Sequence, residues 1–375
     1  MKFLHTADWQ LGMKAVQVGG AAERVRAERL KTVERIVRLA RDAFVDFILL
    51  SGDTFEDNAV ERVLIQQAAD LLGGFGLPVY LIPGNHDPMV PGSVWEHPSW
   101  GSRMNIQILS EEKPVAVPGG RLYPCPVREK FSRKDPTSWI PVESTSEIRI
   151  GLAHGSFEGV GGDDLELPIP RNAASRAGLD YLALGHWHSL ALFPDGSGMT
   201  RTAYPGTPEP SRFGERDSGK VLIVEIESPQ SPPRITPMNV GGLIWEVQAA
   251  DIRKPGDLAR LKEKIEGWPR PEDTLLTLKV SGFMGAEEQG ELVRLKEIIG
   301  ARFLFQNVDL SQLHPSPEDE TWISDLPPGI LQETAARLRR LSDPGFSGPR
   351  PEGASPEVAA QALMELYLLS KGGPL

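Results

Sequence analysis

The stretch Leu81–Pro88, LIPGNHDP, decides how the rest of the chain is interpreted. The residues Pro78–Ile82 are β-branched, aromatic or apolar, which predicts a short buried strand that ends at the following Pro83–Gly84. A sharp turn would then present the polar triplet Asn85–Asp87 at the carboxyl end of this strand, where α/β proteins collect ligand and catalytic groups. Taken alone, the triplet fits an ordinary surface turn equally well.

Four other apolar runs end in the same way, in a carboxylate or an imidazole. They are Phe3–Asp8 (FLHTAD), Phe47–Asp53 (FILLSGD), Leu152–His154 (LAH) and Tyr181–His188 (YLALGHWH). Because the polar groups follow buried strands in each case, their repetition predicts one metal site that is built from strand ends.

The candidate donors form a mixed set of oxygen and nitrogen ligands: Asp8, Gln10, Asp53, Asn85, His86, His154, His186 and His188. Such a mixture suits Mn²⁺, Fe²⁺ or Zn²⁺, whereas Mg²⁺ and Ca²⁺ sites would not need the imidazoles. His186 and His188 would share a face on a strand but could reach two different cations on a turn. A site that hydrolyses phosphate esters with two metals needs one carboxylate that bridges cations about 3.5–4 Å apart.

The order of the remaining elements predicts an α/β fold with two stacked sheets flanked by helices over residues 1–240. Glu23–Phe44 and Val60–Leu72 carry apolar residues at helical spacing. Short strands in the interval 106–127, which is punctuated by proline and glycine, predict an antiparallel region. Strands in series follow after residue 200.

A composition shift near Gly241–Gly242 predicts a second, small α/β capping domain with a trailing helix over residues 241–342. Residues 343–375 would hold a linker and a last helix that starts at Ser355. The apolar residues of this helix extend most of the way round it, so something must cover them. The cover is either the second domain itself or a partner protein.

Composition excludes several classes of protein. A net charge of −11 over 375 residues argues against coating nucleic acid through bulk basicity, although bound metals would supply local positive charge. Cys125 is the sole cysteine, so an intrachain disulfide is impossible and a reducing cytoplasm is expected. No apolar run of about 18 residues and no apolar signal segment at the start is present, so no membrane association is expected.

The motifs DWQ, GDTFEDN, GNHD, HGSFEG and GHWH, in this order, resemble those of the calcineurin-like metallophosphoesterases. More narrowly, HTADWQLG, AGLDYLALGHWH and YPGTPEPSRFGE are similar to the SbcD-type exonucleases that repair DNA double-strand breaks. The resemblance covers residues 1–238 with specific motifs, and the remainder only in its architecture.

The resemblance implies a role for each site residue. Asp53 would bridge two divalent cations, with Asp8, Gln10 and His188 completing metal one. Asn85, His154 and His186 would complete metal two. His86 would stabilise the transition state and protonate the leaving oxygen, and Asp87 would hold its imidazole.

The implied activity is that of a hydrolase, a Mn²⁺-dependent DNA nuclease with exonuclease or endonuclease action, which works with an SbcC-like coiled-coil ATPase. A homodimer is also implied, with Val60–Leu72 at its interface, although packing on its own sheet explains the same helix. The first motif departs from the family's DxH pattern, because Gln10 replaces an imidazole by a poorer ligand. Two alternatives therefore stay open: a phosphoesterase for a small phosphodiester or a phosphoprotein, and a catalytically weakened scaffold subunit.

Overall fold

The computed structural model describes residues 1–74, 76–143, 146–160, 166–316 and 321–370. The chain divides into two compact units, Met1–Trp245 and Glu246–Leu375. The sequence places the first domain boundary after residue 240. Among the described helices, none combines the length and the apolar character that are needed to cross a bilayer.

The first unit contains strands that are numbered along the chain. They are β1 (Lys2–Thr6), β2 (Phe47–Ser51), β3 (Val79–Ile82), β4 (Ile106–Ile108), β5 (Val115–Val117), β6 (Gly120–Cys125), β7 (Ile148–His154), β8 (Tyr181–Gly185), β9 (Ala191–Pro194), β10 (Thr200–Tyr204), β11 (Lys220–Glu225) and β12 (Arg234–Asn239). Its helices are α1 (Ala22–Asp42), α2 (Arg62–Gly73) and α3 (Ala173–Arg176). The strands form one sheet in the order β12-β11-β1-β2-β3-β4 and another in the order β5-β6-β7-β8-β10-β9.

The two sheets stack face to face because alternate residues of their strands are apolar on the inner side. Phe3, Phe47 and Tyr80 of the first sheet meet Ile150 and Tyr181 of the second sheet in one buried cluster. The opposite face of the first sheet buries the apolar stripes of α1 and α2, and the outer face of the second sheet packs against α3. The predicted sandwich of two sheets flanked by helices is confirmed.

Two details of the sheets differ from the sequence-based prediction. The interval 106–127 is not uniformly antiparallel, because β4 pairs in parallel with β3 at the edge of the first sheet, while β5 and β6 pair antiparallel. The strand β9 was not predicted, since it is short and ends in proline, a residue that strand interiors exclude. It pairs antiparallel with β10 at an edge, where proline is tolerated.

The helix α2 uses its apolar stripe inside the first unit. Ile65, Ala68 and Leu72 are buried in the cluster that α2 shares with the first sheet, whereas Val63 is 65% exposed. Packing on its own sheet therefore accounts for the helical pattern, and the homodimer stays a prediction.

The second unit comprises a sheet in the order β13-β14-β15 and several helices. Its elements are β13 (Ile244–Ile252), α4 (Asp257–Glu266), β14 (Thr274–Met284), α5 (Gln289–Arg302), β15 (Phe305–Pro315), α6 (Thr321–Asp325), α7 (Ile330–Ser342) and α8 (Pro356–Ser370). The unit covers one face of α8, where Leu363 packs with Trp322 and Ala335. On the rest of this helix, Val358 is 54% and Leu369 is 44% exposed.

Candidate metal centre

The parallel strands of the first unit bring the candidate ligands to one end of the sandwich. β1, β2 and β3 are neighbours in the first sheet, and β7 and β8 are neighbours in the second. Since all five strands end at the same side, the residues at or just beyond their ends converge. These residues are Asp8, Asp53, Asn85, His154 and His186, all buried or half-buried.

The backbone at these strand ends is held in an unusual conformation. Asp8, Gln10, Asp53 and His186 have positive φ angles of 55°, 50°, 51° and 110°. Each such residue other than glycine costs roughly 1–3 kcal/mol and persists only where the surrounding structure enforces it. Backbone hydrogen bonds do so here, from the Asp8 N–H to the Gly52 carbonyl and from the Gln10 N–H to the Asp53 carbonyl, both 3.1 Å.

The glycines of the motifs permit the close approach of these loops. A Cβ atom on Gly84 would lie 2.1 Å from Asp53 Oδ1, and one on Gly52 would lie 2.4 Å from His154 Nδ1. On Gly185 it would lie 2.0 Å from the Ser51 carbonyl oxygen. The glycines preceding Asp53, Asn85 and His186 are therefore required by space.

At the centre of the site, imidazole nitrogens face carboxylate and amide oxygens. The His154 Nδ1–H donates to the Ser51 carbonyl at 2.8 Å, so in the neutral ring Nε2 carries a lone pair. This Nε2 lies 2.8 Å from Asn85 Oδ1 and 3.4 Å from Asp53 Oδ1. His186 Nδ1 approaches the same Asn85 oxygen at 3.1 Å. Each of these close approaches needs a proton or a cation between the two facing atoms.

Burial and the charges of neighbouring groups shift the pKa values of the site residues. Burial raises the pKa of Asp8 to about 6, against the opposing influence of His188 and His154. For His154, burial lowers the pKa, but Asp53 outweighs it and raises the pKa to about 9. Burial raises and His154 lowers the pKa of Asp53, which ends below its usual range. Burial lowers the pKa of His186 to about 3. Asp8 and His154 thus favour an added positive charge, whereas His186 disfavours protonation.

The donor set fits a divalent cation. One donor atom each from Asp8, Asp53 and His154 lies within 4.8 Å of the others, and all three side chains are buried. The Asn85 oxygen adjoins this group, and the backbone N–H of His186 donates to both Asp8 oxygens at 2.9 and 3.1 Å. Carboxylates, imidazoles and an amide oxygen without thiolates suit Mn²⁺, Fe²⁺ or Zn²⁺. The individual ligand assignments stay predictions.

Gln10 reaches the site with its nitrogen foremost. Its side chain is 3% exposed, and Nε2 donates to Asp53 Oδ2 at 3.1 Å. An amide nitrogen does not bind a cation, so coordination requires the amide to turn and present its oxygen. In the orientation found here, Gln10 orders the carboxylate of Asp53.

One protein family matches the part of the chain that forms the site. The calcineurin-like phosphoesterase family matches residues 1–190, which include β1 to β8 and every site residue that the sequence predicts. The chain belongs to this family. The sequence-based assignment is therefore confirmed, and the chain is a member of a phosphoesterase family whose proteins bind divalent metals.

Several curated proteins resemble this phosphoesterase. YhaO of Bacillus subtilis, described as an uncharacterized metallophosphoesterase, is 23% identical over 294 residues, covering 75% of this chain and 69% of YhaO. The DNA double-strand break repair protein Mre11 of Methanopyrus kandleri is 23% identical over 317 residues, with coverages of 71% and 65%. The SbcD component of the B. subtilis nuclease SbcCD is 25% identical over 268 residues, with coverages of 60% and 66%. The chain thus spans slightly less than two thirds of the latter two proteins.

Solved structures show weaker similarity. TT1561 of Thermus thermophilus superposes with a TM-score of 0.41 at 14% identity, covering 64% of this chain and 98% of TT1561. A 5′-nucleotidase precursor of the same organism gives a TM-score of 0.38 at 10% identity, covering 64% of this chain and 54% of its own.

His86 and Asp87 of the phosphoesterase are arranged differently from the prediction. The half-buried His86 ring donates its Nδ1–H to the Glu56 carbonyl at 2.9 Å. The carboxylate of Asp87 instead accepts the backbone N–H groups of Phe55 at 2.9 Å and Gly84 at 2.7 Å. The prediction that Asp87 holds the imidazole of His86 is therefore wrong. Asp87 shapes the turn, and a backbone carbonyl orients the ring.

Sequence reasoning missed two residues that orient His188. Its Nδ1–H donates to Glu215 Oε1 at 2.8 Å, and the Ser211 hydroxyl lies 3.2 Å from the same nitrogen. The Ser211 N–H donates to Glu215 Oε2 at 2.8 Å, which fixes the carboxylate in turn. Burial lowers the pKa of His188, but the bond to Glu215 outweighs it and raises the pKa. The available signal was the SRFGE end of the motif YPGTPEPSRFGE.

Replacing Glu215 with alanine is expected to weaken Mn²⁺ binding by about 10- to 100-fold, because the ring of His188 loses the carboxylate that fixes its tautomer. Calorimetric titration of the purified chain with Mn²⁺ measures this change. The exposed Glu227→Ala is the matched control. Equal affinities in the Glu215→Ala variant and the wild type would show that Glu215 does not support metal binding through His188.

A buried arginine connects the two loops that surround His188 and Gln10. The guanidinium of Arg29, whose residue is 3% exposed, donates to the Trp9 carbonyl at 2.8 Å and to the Pro210 carbonyl at 3.1 Å. Trp9 lies between Asp8 and Gln10, and Pro210 precedes Ser211. Arg29 therefore holds both loops in position through these two hydrogen bonds.

Three further aromatic residues lie close to the site residues in the sequence: His5, Trp9 and Trp187. His5 is fully buried and bonded to the Tyr181 hydroxyl at 2.9 Å and the Leu184 carbonyl at 3.1 Å, as a core histidine. Trp9 is buried in the core that the first sheet shares with α1 and α2. Trp187 is only half-buried, and it lines a cavity beside His188.

Proposed function

We propose that this calcineurin-like phosphoesterase is a metal-dependent DNA phosphodiesterase of the repair-nuclease type. The observation that carries the proposal is the convergence of carboxylate, amide and imidazole donors around the buried Asp53. The similarity to the DNA double-strand break repair protein Mre11 and to a component of the nuclease SbcCD supports DNA as the substrate and nuclease action as the activity. Mn²⁺ is the proposed physiological cation, with Fe²⁺ or Zn²⁺ as alternatives.

In the proposed reaction, one set of residues holds the cations and His86 transfers a proton. Asp53, Asp8 and His188 with Asn85, His154 and His186 would hold two divalent cations. When bound, these cations polarise phosphoryl oxygens and lower the pKa of water. His86 lies in the turn after β3 with its Nδ1–H bonded to the Glu56 carbonyl, so in the protonated ring Nε2 is the atom that passes a proton to the leaving oxygen. The buried surroundings strengthen every charge interaction with the phosphate.

Hydrolysis of DNA is tested against hydrolysis of a small ester. The Mn²⁺-loaded chain is supplied with double-stranded DNA ends and, separately, with bis-p-nitrophenyl phosphate. Cleavage of the DNA supports the nuclease. Good turnover of the small ester with untouched DNA, even when the proposed ATPase is added, would favour the phosphoesterase acting on a small phosphodiester or a phosphoprotein.

The orientation of Gln10 favours a second candidate, a chain with a weakened metal one that acts mainly as a scaffold. We expect Gln10→His to tighten Mn²⁺ binding on the order of tenfold, because an imidazole nitrogen replaces a weak amide ligand. Metal titration measures this, with the exposed Gln66→His as the control. Nuclease activity in Gln10→His but not in the wild type would select the scaffold, and unchanged affinity would remove Gln10 from metal one.

The proposed partner is an SbcC-like coiled-coil ATPase, docked on the exposed apolar residues of α8. This proposal is supported by Val358 and Leu369, which the second unit leaves exposed. A pull-down compares the full chain with a chain that ends before residue 355. Equal recovery of the ATPase would show that α8 serves only its own unit. Sedimentation analysis tests the proposed homodimer.

A further inference from the structure

A cavity of about 310 Å³ opens directly beside the candidate metal centre. Its walls come from the turn after β8 and from the turn 212–215, and they include Trp187, His188, Arg212, Phe213 and Glu215. Ligand pockets span roughly 300–1,000 Å³, so this one has room for a single ring system. One wall, His188, is a candidate metal ligand, which places whatever fills the cavity next to the reacting phosphate.

Two aromatic side chains from separate loops line the cavity. Trp187 is half-buried and packs against the cluster beneath the second sheet. Phe213 is half-buried as well, and its ring contacts Trp245 edge-on with centroids 4.9 Å apart and planes at 70°. These contacts hold both rings in place. Fixed aromatic faces in a cavity favour a flat, unsaturated ligand.

Of the two charged groups in the cavity, the Glu215 carboxylate is held by hydrogen bonds and the Arg212 guanidinium can move. The carboxylate of Glu215 is occupied by His188 and Ser211. The guanidinium of Arg212 lies 3.7 Å from Glu215 Oε1, and its side chain is 70% exposed. An ion pair so exposed contributes little, so Arg212 can turn towards a phosphate without a significant loss.

We propose that this cavity binds the nucleobase adjacent to the scissile phosphate, with Trp187 and Phe213 as stacking surfaces and Arg212 on the neighbouring backbone. The inference rests on the proposed function, and it defines the substrate class as nucleoside phosphodiesters with an unstacked base. Every base has a π-face, so stacking on these rings tolerates all four bases. A base inside a duplex must first leave its stack, at a cost of a few kcal/mol. Single-stranded or frayed ends are therefore the favoured substrates.

The first experiment compares two esters with the same leaving group. The Mn²⁺-loaded chain hydrolyses the p-nitrophenyl ester of thymidine 5′-monophosphate and methyl p-nitrophenyl phosphate, and the ratio of their kcat/KM values is measured. The wild type is expected to favour the nucleoside ester by about 5- to 150-fold. Trp187→Leu and Phe213→Leu should bring the ratio towards one, while Trp187→Phe and Phe213→Tyr should restore it.

The matched control is Phe131→Leu, which removes a 66% exposed aromatic side chain outside the cavity lining and should leave the ratio unchanged. A wild-type ratio near one would overturn the proposal. So would a ratio that survives in both leucine variants.

A second experiment needs no turnover and separates this proposal from the proposed function. Calorimetry compares binding of thymidine 5′-monophosphate with binding of 2-deoxyribose 5-phosphate, which has a hydroxyl group in place of the base. Tighter binding of the nucleotide, lost in Trp187→Leu and restored in Trp187→Phe, supports the base-binding cavity even if neither ester is hydrolysed. Equal binding of both ligands would refute the cavity even in an active nuclease.

Discussion

Replacing His86 with asparagine is expected to lower kcat for phosphodiester hydrolysis by about 10²- to 10⁴-fold, because the leaving oxygen loses its proton donor. Bound metal should stay at the wild-type level. The reason lies in the geometry: the ring nitrogen Nδ1 of His86 is bonded to the Glu56 carbonyl, and its backbone N–H donates to Asp53 Oδ1 at 2.9 Å. Asparagine keeps the backbone contact and removes the proton donor.

Two measurements on the same preparation check this separation of roles. Single-turnover hydrolysis of bis-p-nitrophenyl phosphate gives the chemical step, and elemental analysis after gel filtration gives the metal content. His314→Asn, in the second unit, is the control. Metal and activity that disappear together in His86→Asn would mean that His86 is a ligand.

Gly84→Ala should abolish tight Mn²⁺ binding and destabilise the first unit by about 1–3 kcal/mol, the usual range for overpacking. The added methyl group would lie 2.1 Å from Asp53 Oδ1 and 2.4 Å from the Asp53 backbone nitrogen. Neither atom can withdraw freely, since the backbone nitrogen is part of the turn that holds the carboxylate. The substitution must therefore separate the turns that carry Asp53 and Asn85.

Denaturant unfolding and metal titration measure the two effects. Gly20→Ala is the matched control, because a Cβ atom there meets nothing within 4 Å. A Gly84→Ala variant with wild-type affinity and stability would show that the Asp53 turn and the Asn85 turn are not packed as found here.

The sequence predicts the sandwich and most of the site because both signals are local. A buried strand and the polar group at its end are adjacent in the chain, so Asp8, Asp53, Asn85, His154 and His186 are found without any knowledge of strand order. Their convergence follows from the common direction of parallel strands. The direction of β4 does not follow, because three residues contain no signal for the orientation of a neighbour.

The sequence does not predict two kinds of contact. One joins residues that are distant in the chain, and the other replaces an expected contact between neighbours in the chain. Glu215 contacts His188 only because the turn 211–215 folds back towards His188. The spacing of these residues in the sequence does not predict this contact. Asp87 adjoins His86 in sequence, which made it the natural partner of the ring. In the folded turn its carboxylate is nearer to the backbone N–H groups of Phe55 and Gly84.

The left-handed backbone at Asp8, Gln10, Asp53 and His186 limits what the motifs can achieve outside this fold. In an isolated peptide each of these residues would relax to an ordinary conformation, and its side chain would swing away from the others. Grafting DWQ, GDT, GNHD and GHWH onto another scaffold would thus transfer the motif residues without the arrangement of their side chains. The arrangement of the candidate ligands therefore depends on the whole sandwich, because its packing holds these four residues in an unfavourable backbone conformation.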